Sequence, residues 1–449
     1  MSSPGGNASM TTRQRGAICL TALIAAADGF DGLAMAFVAP ALSAEWNIDK
    51  SAIGLLLSCT LFGMAGGALA LAPLADVVGR KPTLLGGIAL MCLGSFASAT
   101  ANSVHDLAVW RILTGLGVGV LVALTASVAS EFANEKTRPF AVATVAVGFS
   151  LGGVLGGLGS AVILSSHHWS AVFSLGGFLA LALGVVTSVW LPETPAYLAT
   201  SRSHDALERL NRALYRLGLP AAQTLPAIPR AEGRSYRRLF AADLWLDTVR
   251  YAATYTLIGS AVYYLQSWLP QLIADSGHPA SLGSVLSACL SLAGIAGALL
   301  LGAIAYRVGP TRLAALAMCG FALSLAALGH VPPRLQPLVM ACCVCGFFMS
   351  AATAVFNAAM TTRFPASVRA SGLGFVMGVG RILSAMGPLL AGHLFARGFD
   401  HAFVSSLFAG LSILAALLLV VPLGRASPSA RLAVVADMAA GSSRHNRES

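Results

Sequence analysis

The chain has 449 residues, 56% of them hydrophobic and only 10% charged, far below the roughly 25% charged residues of an average soluble protein. That composition places most of the chain in a bilayer rather than in water. The net charge of +10 does not point to nucleic acid, because the basic residues follow a membrane topology.

Twelve apolar spans, each of about the 20 residues needed to cross roughly 30 Å of hydrocarbon, are expected near 16–42, 52–75, 83–101, 106–130, 140–163, 169–191, 249–274, 282–306, 312–330, 335–360, 370–396 and 402–423. The first fifteen residues are polar. Span one is long, carries two Asp and has no clear small-residue cleavage site, so it reads as a retained helix rather than a cleaved signal peptide. Its stretch "AADGFDGLAM" sets Asp28 and Asp31 three residues apart, on one helix face. A charge at mid-bilayer costs from ~2.5 to well over 10 kcal/mol, so ionisable groups there read as functional by default. Arg111 lies about one turn inside span four. Burial and a neighbouring Arg act in opposite directions on a carboxylate's protonation, so Asp28, Asp31 and Arg111 form the expected proton-coupling group. A static Asp–Arg clasp between helices one and four is the alternative.

After span two, "LADVVGRKP" gathers Asp76, Gly79, Arg80 and Lys81 in a tight turn. Gly permits the turn and the carboxylate favours a neighbouring helix N-terminus; simple topogenic charge is the competing reading. "GLGVG" at 115–119 lacks the third Gly of a dinucleotide loop, and its glycines, with Gly148, Gly152 and Gly156 and the adjacent Gly153 and Gly157, read as faces for close helix packing. Arg138 precedes span five. The one long polar stretch, 196–248, begins as an amphipathic helix from about Asp205 to Leu217 and is then broken by Pro220, Pro226 and Pro229. It reads as a linker between bundles of six.

Helix seven offers Tyr251, Tyr255, Tyr263 and Tyr264, and helix ten Phe356 beside Asn357, as aromatics that could stack on a ring, although each also suits ordinary packing. Arg381 stands mid-span in helix eleven. Arg binds carboxylates bidentately and keeps its charge, so an anionic substrate is expected there. The eight Cys all fall in spans, where thiols behave as small hydrophobes. "CCVC" at 342–345 lacks further ligands at metal spacing, and no phosphate-binding G-x-x-x-x-G-K-[ST] occurs. No metal, no cofactor and no ATP-driven pump are therefore expected.

With the N-terminus cytoplasmic, about 22 of the 28 Lys and Arg fall on the cytoplasmic side, and outer loops keep about three, Lys50, Arg334 and Arg397. Both termini and the linker are thus expected inside, with the basic cluster at 230–238 suited to anionic lipid. The halves also echo each other at an offset of about 230 residues. "PLADVVGRKP" matches "AIAYRVGPTR" with Gly79 on Gly309, "EKTRPFA" matches "ASVRASG" with Arg138 on Arg369, and Gly115 faces Gly346. Parallel repeats with a site between them near the midplane are a transporter architecture.

The charged turn, the twelve spans and the degenerate second copy resemble the major facilitator superfamily. "DGFDGLAMAFVAPAL" (28–42), "RILTGLGVG" (111–119) and "GVGRILSAMGPLLAG" (378–392) are similar to helices one, four and eleven of its aromatic acid:proton symporters, and "LPETP" (191–195) to a signature shared with sugar porters. The similarity runs over the whole chain except the tail after Arg425. It implies an all-α membrane fold of two pseudo-symmetric six-helix bundles, at 1–195 and 249–425, joined by a linker at 196–248 and followed by a tail at 426–449. It implies that Asp76, Arg80 and Lys81 latch the cytoplasmic face, so the expected gating group is Asp76, Gly79, Arg80 and Lys81, with Arg138 from the repeat, while the residues themselves make Arg381, Tyr255, Tyr263, Phe356 and Asn357 the expected substrate site. In the second copy Tyr306 replaces the Asp, and Pro310 and Thr311 the basic pair, which weakens the case for a second latch. The expected protein is a monomeric, proton-coupled importer of a small aromatic acid in a bacterial inner membrane, not an enzyme, with membrane lipid and protons as partners and no nucleic acid. A symporter of another organic acid or a sugar-like solute remains open, and an exporter less so, since "GFSLGGVLGG" in span five lacks the Pro of drug:proton antiporters.

Overall fold

The structure, a computed structural model, describes residues 10–200, 205–225, 239–241, 244–364 and 368–420. The basic cluster at 230–238 and the tail at 426–449 lie outside them, as does the side chain of Arg369. The described residues fold as helices α1 (Thr12–Trp46), α2 (Lys50–Gly66), α3 (Arg80–Ala99), α4 (Val104–Phe132), α5 (Arg138–Ser166), α6 (Ser170–Trp190), α7 (Pro195–Thr200), α8 (Ala206–Leu217), α9 (Trp245–Asp275), α10 (Ala280–Val308), α11 (Pro310–Leu328), α12 (Leu335–Arg363), α13 (Arg369–Ser384), α14 (Met386–Ala396) and α15 (His401–Val420). α2 runs on through a wider turn at Gly67–Leu71 and a tighter one at Ala72–Asp76. α13 and α14 form one span, interrupted at Ala385. The break follows from Pro388, which has no N–H to give to the carbonyl four residues back.

Twelve long helical segments are thus found among the described residues, but length and apolarity alone identify eleven of them as membrane spans. The twelfth is α9, whose 31 residues include Asp247, Arg250, four Tyr and two Gln. Its polar tips are spent inside the protein: Tyr264 stacks on Phe408 with centroids 4.3 Å apart and shares a 2.9 Å hydrogen bond with Ser405, and the Trp268 indole donates to the Pro388 carbonyl at 3.0 Å. A helix packed in protein need not look like lipid.

The repeat seen in the sequence is a repeat of packing. α1 lies on α5, α2 on α4, and α3 on α4 and α6; in the second half α9 lies on α13, α10 on α12, and α11 on α12 and α15. Gly115 and Gly346 do the same work in the two copies. A Cβ on the first would sit 2.3 Å from the Thr60 carbonyl oxygen of α2, and on the second 2.1 Å from that of Leu290 in α10. α5 carries two glycine faces: Gly148 and Gly152 bring it against the backbone of Ala22 and Ala26 in α1, while Gly153 and Gly157 face Ser291 and Ser284 of α10 in the other half. Close approach without side chains binds helices in a bilayer, where no hydrophobic effect drives them together.

The start of the linker does form an amphipathic helix, α8, which ends on Gly218 at φ 71°. Thr11 donates to the Leu217 carbonyl at 2.7 Å and Arg13 to that of Arg216 at 3.1 Å. These bonds satisfy terminal carbonyls that the helix itself leaves open and pin the linker to the head of α1.

Candidate functional site

Three charged clusters stand out, one in the middle of the first half, one facing the second half, and one at the turn after α2. In the first, Asp31 and Arg111 are both fully buried, and the Arg111 Nη1 lies 3.8 Å from the Asp31 Oδ2, beyond hydrogen-bond reach. Instead Arg111 donates to Ser98 Oγ at 3.0 Å and to Thr114 Oγ1 at 2.9 Å, and its guanidinium lies 4.4 Å from the centroid of the Phe173 ring. Ser95 donates to Asp31 Oδ1 at 2.7 Å. Helices α1, α3, α4 and α6 thus each contribute to one enclosed clasp. Sequence reasoning found its two charges but not Ser95, Ser98, Thr114 or Phe173; the i, i+3 pair of hydroxyls in "SFAS" at 95–98 was the available signal.

Asp28 is separate. It is fully buried, and among the described residues neither of its carboxylate oxygens has a hydrogen-bond partner. Its electrostatic partners are Asp31 on its own helix and Arg381 in the opposite half. Arg381 occupies the last turn of α13 before the break. It is half-buried, its Nε has no hydrogen-bond partner among the described residues, and Tyr255 and Tyr263 of α9 are its electrostatic neighbours. Gly380 allows this approach, since a Cβ there would lie 2.4 Å from the Tyr255 ring. Arg381 also lines a cavity of about 310 Å³ between the halves, with Ala65, Ala68, Leu69, Val122 and Gly378. The cavity suits a small ligand, and among the described residues on its wall Arg381 is the charged one.

The structure does not gather every residue expected at this site. Phe356 is buried in the core, stacked on Tyr251 at 5.7 Å and tilted against Tyr255 at 6.4 Å, so it supports Tyr255 from behind. Asn357 is exposed on α12 and is not part of the cavity wall. The difference is one of helical phase, since adjacent residues point about 100° apart.

At the turn after α2, Arg80 bridges Asp76 at 2.6 Å and Glu131 at 3.2 Å. Glu193 of "LPETP" accepts the backbone N–H groups of Arg80 and Lys81, and Lys81 donates to the Ser188 carbonyl at 2.7 Å. Gly79 is required twice: its φ of 120° disfavours any side chain, and a Cβ would meet Glu193 Oε2 at 2.4 Å. The turn therefore locks α2, α3, α4 and α6 of one half together. Arg138 does not join it; it starts α5 on the surface without an ion pair among the described residues. Gly309 repeats the backbone at φ 97°, but nothing lies within 4 Å of where its Cβ would be.

The halves meet closely at the opposite end. A Cβ on Gly54 of α2 would lie 2.9 Å from the Pro388 carbonyl oxygen of α14, and Lys50 bridges Asp275 of the other half at 2.6 Å. His401 stands 3.5 Å from the same carboxylate. Asp49 caps α2 by accepting from Ser51 and the Ala52 N–H, which hold its carboxyl below the usual carboxylate range. The molecule is thus closed at the Lys50 end, and the cavity beneath Arg381 lies toward the Arg80 end.

The family model described as Major Facilitator Superfamily matches residues 19–334 and 253–436. The gallate transporter of Pseudomonas putida is 30% identical over 423 residues, covering 93% of this chain and 94% of that protein. The 4-hydroxybenzoate transporter PcaK of the same organism is 30% identical, over 85% of this chain and 86% of its own length. Among solved structures, the partially occluded inward open conformation of the xylose transporter XylE from E. coli superposes with a TM-score of 0.72 at 15% identity, covering 93% of this chain and 100% of that one.

Proposed function

The chain belongs to the Major Facilitator Superfamily, and we propose that it imports a small aromatic carboxylate of the benzoate or hydroxybenzoate class together with protons across a bacterial inner membrane. It is a multi-pass transporter and not an enzyme, as its relatives are transporters over nearly their whole length. The observation that carries the substrate reading is Arg381: a guanidinium with an unpartnered Nε, on a cavity wall between the halves. A carboxylate is the anion whose two oxygens match that planar fork, and Tyr255 and Tyr263 are the aromatic residues beside the guanidinium, behind the cavity wall. The relatives that transport gallate and 4-hydroxybenzoate carry ligands of this chemistry.

Coupling is assigned to the acids. Asp28 is buried without a hydrogen-bond partner among the described residues and draws its favourable charge from Arg381 of the opposite half, so an incoming carboxylate competes with Asp28 for the same cation. A carboxylate that loses its countercharge away from water is costly as an anion and not as an acid, so substrate entry and proton uptake favour each other. Asp31, clasped with Arg111, is the second acid on the face. The excess of basic residues at the Arg80 end puts that end, both termini and the linker in the cytoplasm. The Lys50–Asp275 end is then external and closed, and the conformation faces inward. The polar contacts of the Arg80 turn hold one half rigid while the halves rock, and the basic composition of 230–238 suits anionic lipid.

Uptake of labelled 4-hydroxybenzoate into proteoliposomes, with and without a proton uncoupler, tests this reading. Accumulation above equilibrium that collapses with uncoupler is expected. Accumulation insensitive to the uncoupler would remove proton coupling, and uptake of sugars but no aromatic acid would remove the substrate class.

A further inference from the structure

We propose that Ser95 is a positioning residue for proton exchange at Asp31, acting through the hydrogen bond its hydroxyl donates to that carboxylate. The proposal rests on the reading of Asp31 as a coupling acid and names a residue that sets when it titrates. Ser95 Oγ lies 2.7 Å from Asp31 Oδ1 in a contact fully closed to solvent. Asp31 Oδ2 has no hydrogen-bond partner, and the Arg111 Nη1 facing it at 3.8 Å has none either. Ser95 is therefore the one hydrogen-bond donor on Asp31 among the described residues, while Arg111 is held back by Ser98 and Thr114.

Other groups around Asp31 supply charge but no such contact. Arg111 acts from α4 and Asp28 from its own helix. α3 and α6 present Ser95 and Gly176, neither of which titrates, and a Cβ on Gly176 would be only 3.4 Å from Asp31 Oδ1. α5 meets α1 through glycines. Beyond Asp28 stands Arg381 of α13, with Tyr255 and Tyr263 of α9. A serine hydroxyl suits the role because it donates to a carboxylate and, after rotating, accepts from a carboxylic acid. It stays satisfied in both states of the acid, but it favours the charged one.

The test is the pH dependence of substrate exchange, measured in proteoliposomes at equal pH on both sides with labelled 4-hydroxybenzoate. Ser95→Ala removes one oxygen and creates no clash, and exchange itself reports that the variant is folded. Its alkaline decline should move upward by about one pH unit, the size expected for losing a hydrogen bond to a charged group. In an Asp31→Asn background, where Asp28 alone still titrates, the decline should change, and adding Ser95→Ala should then change nothing further. A Ser95→Ala profile superimposable on the native one, at whatever rate, would overturn the role of Ser95 while a changed Asp31→Asn profile left Asp31 in place. A native profile in Asp31→Asn would instead overturn the coupling acid itself, and the Ser95 proposal with it.

Discussion

The two halves each hold an arginine within a membrane-spanning helix, Arg111 and Arg381, and their surroundings differ in kind. Arg111 is fully buried, hydrogen-bonded to two hydroxyls and covered by a phenyl ring. Arg381 is half-buried, has an unpartnered Nε and borders a cavity. Each keeps one nitrogen without a hydrogen-bond partner among the described residues, but Arg111 Nη1 is shut in against Asp31, whereas Arg381 borders a cavity that a ligand can enter. One fold duplicated at the level of packing thus encloses its arginine in one copy and sets it on a cavity wall in the other.

That contrast has consequences of graded size. Arg381→Ala should abolish uptake, and Arg381→Lys, which keeps charge but loses the fork, should weaken binding roughly 10- to 100-fold, the equivalent of about 1.5–3 kcal/mol. Next, Arg111→Met should cost about 3–5 kcal/mol of stability by leaving Asp31 unpaired in the interior. The Arg381 guanidinium makes no direct ion pair among the described residues, so Arg381→Met should lower the unfolding temperature in detergent by less, through the countercharge it gives Asp28. Equal destabilisation by both would erase the distinction between them.

The cytoplasmic turns extend the comparison. Gly79→Ala meets both an unfavourable φ and Glu193, whereas Gly309→Ala meets only the φ. The second should cost about 1–2 kcal/mol and the first more, read as thermal stability; equal losses would mean that Glu193 yields freely. The smallest effect is expected at the closed end. Lys50→Gln removes a partly exposed ion pair worth no more than about 1 kcal/mol, so spin labels at Ala44 and Arg397 should report a modest gain in the population open there. An unchanged distance distribution would show that the glycine contacts alone keep that end shut.

Much of this was legible in the sequence. Span lengths and the glycine repeat encode the helices and their duplicate packing, since both depend on residue size and polarity along one chain. Asp28, Asp31, Arg111 and Arg381 stood out because charge in hydrocarbon is rare. What stayed hidden depends on helical phase and on distant partners. Phe356 and Asn357 are neighbours in sequence but point to different surroundings, and Arg138 matches its repeat without sharing the latch. Glu131 and Glu193 come to Arg80 from residues 51 and 113 positions away. Ser95 and Ser98 look like ordinary span residues until α3 is set beside α1 and α4.

The central claim, that Arg381 receives the substrate carboxylate, is most directly tested by calorimetric binding of benzoate and of its neutral isostere benzamide to purified native and Arg381→Ala protein. Native protein should bind benzoate at least about tenfold more tightly than benzamide, as expected for one charge-assisted contact, and Arg381→Ala should bind both equally weakly. If the substitution weakens both ligands by the same factor in folded protein, Arg381 belongs to the scaffold with Arg111, and the carboxylate is held elsewhere.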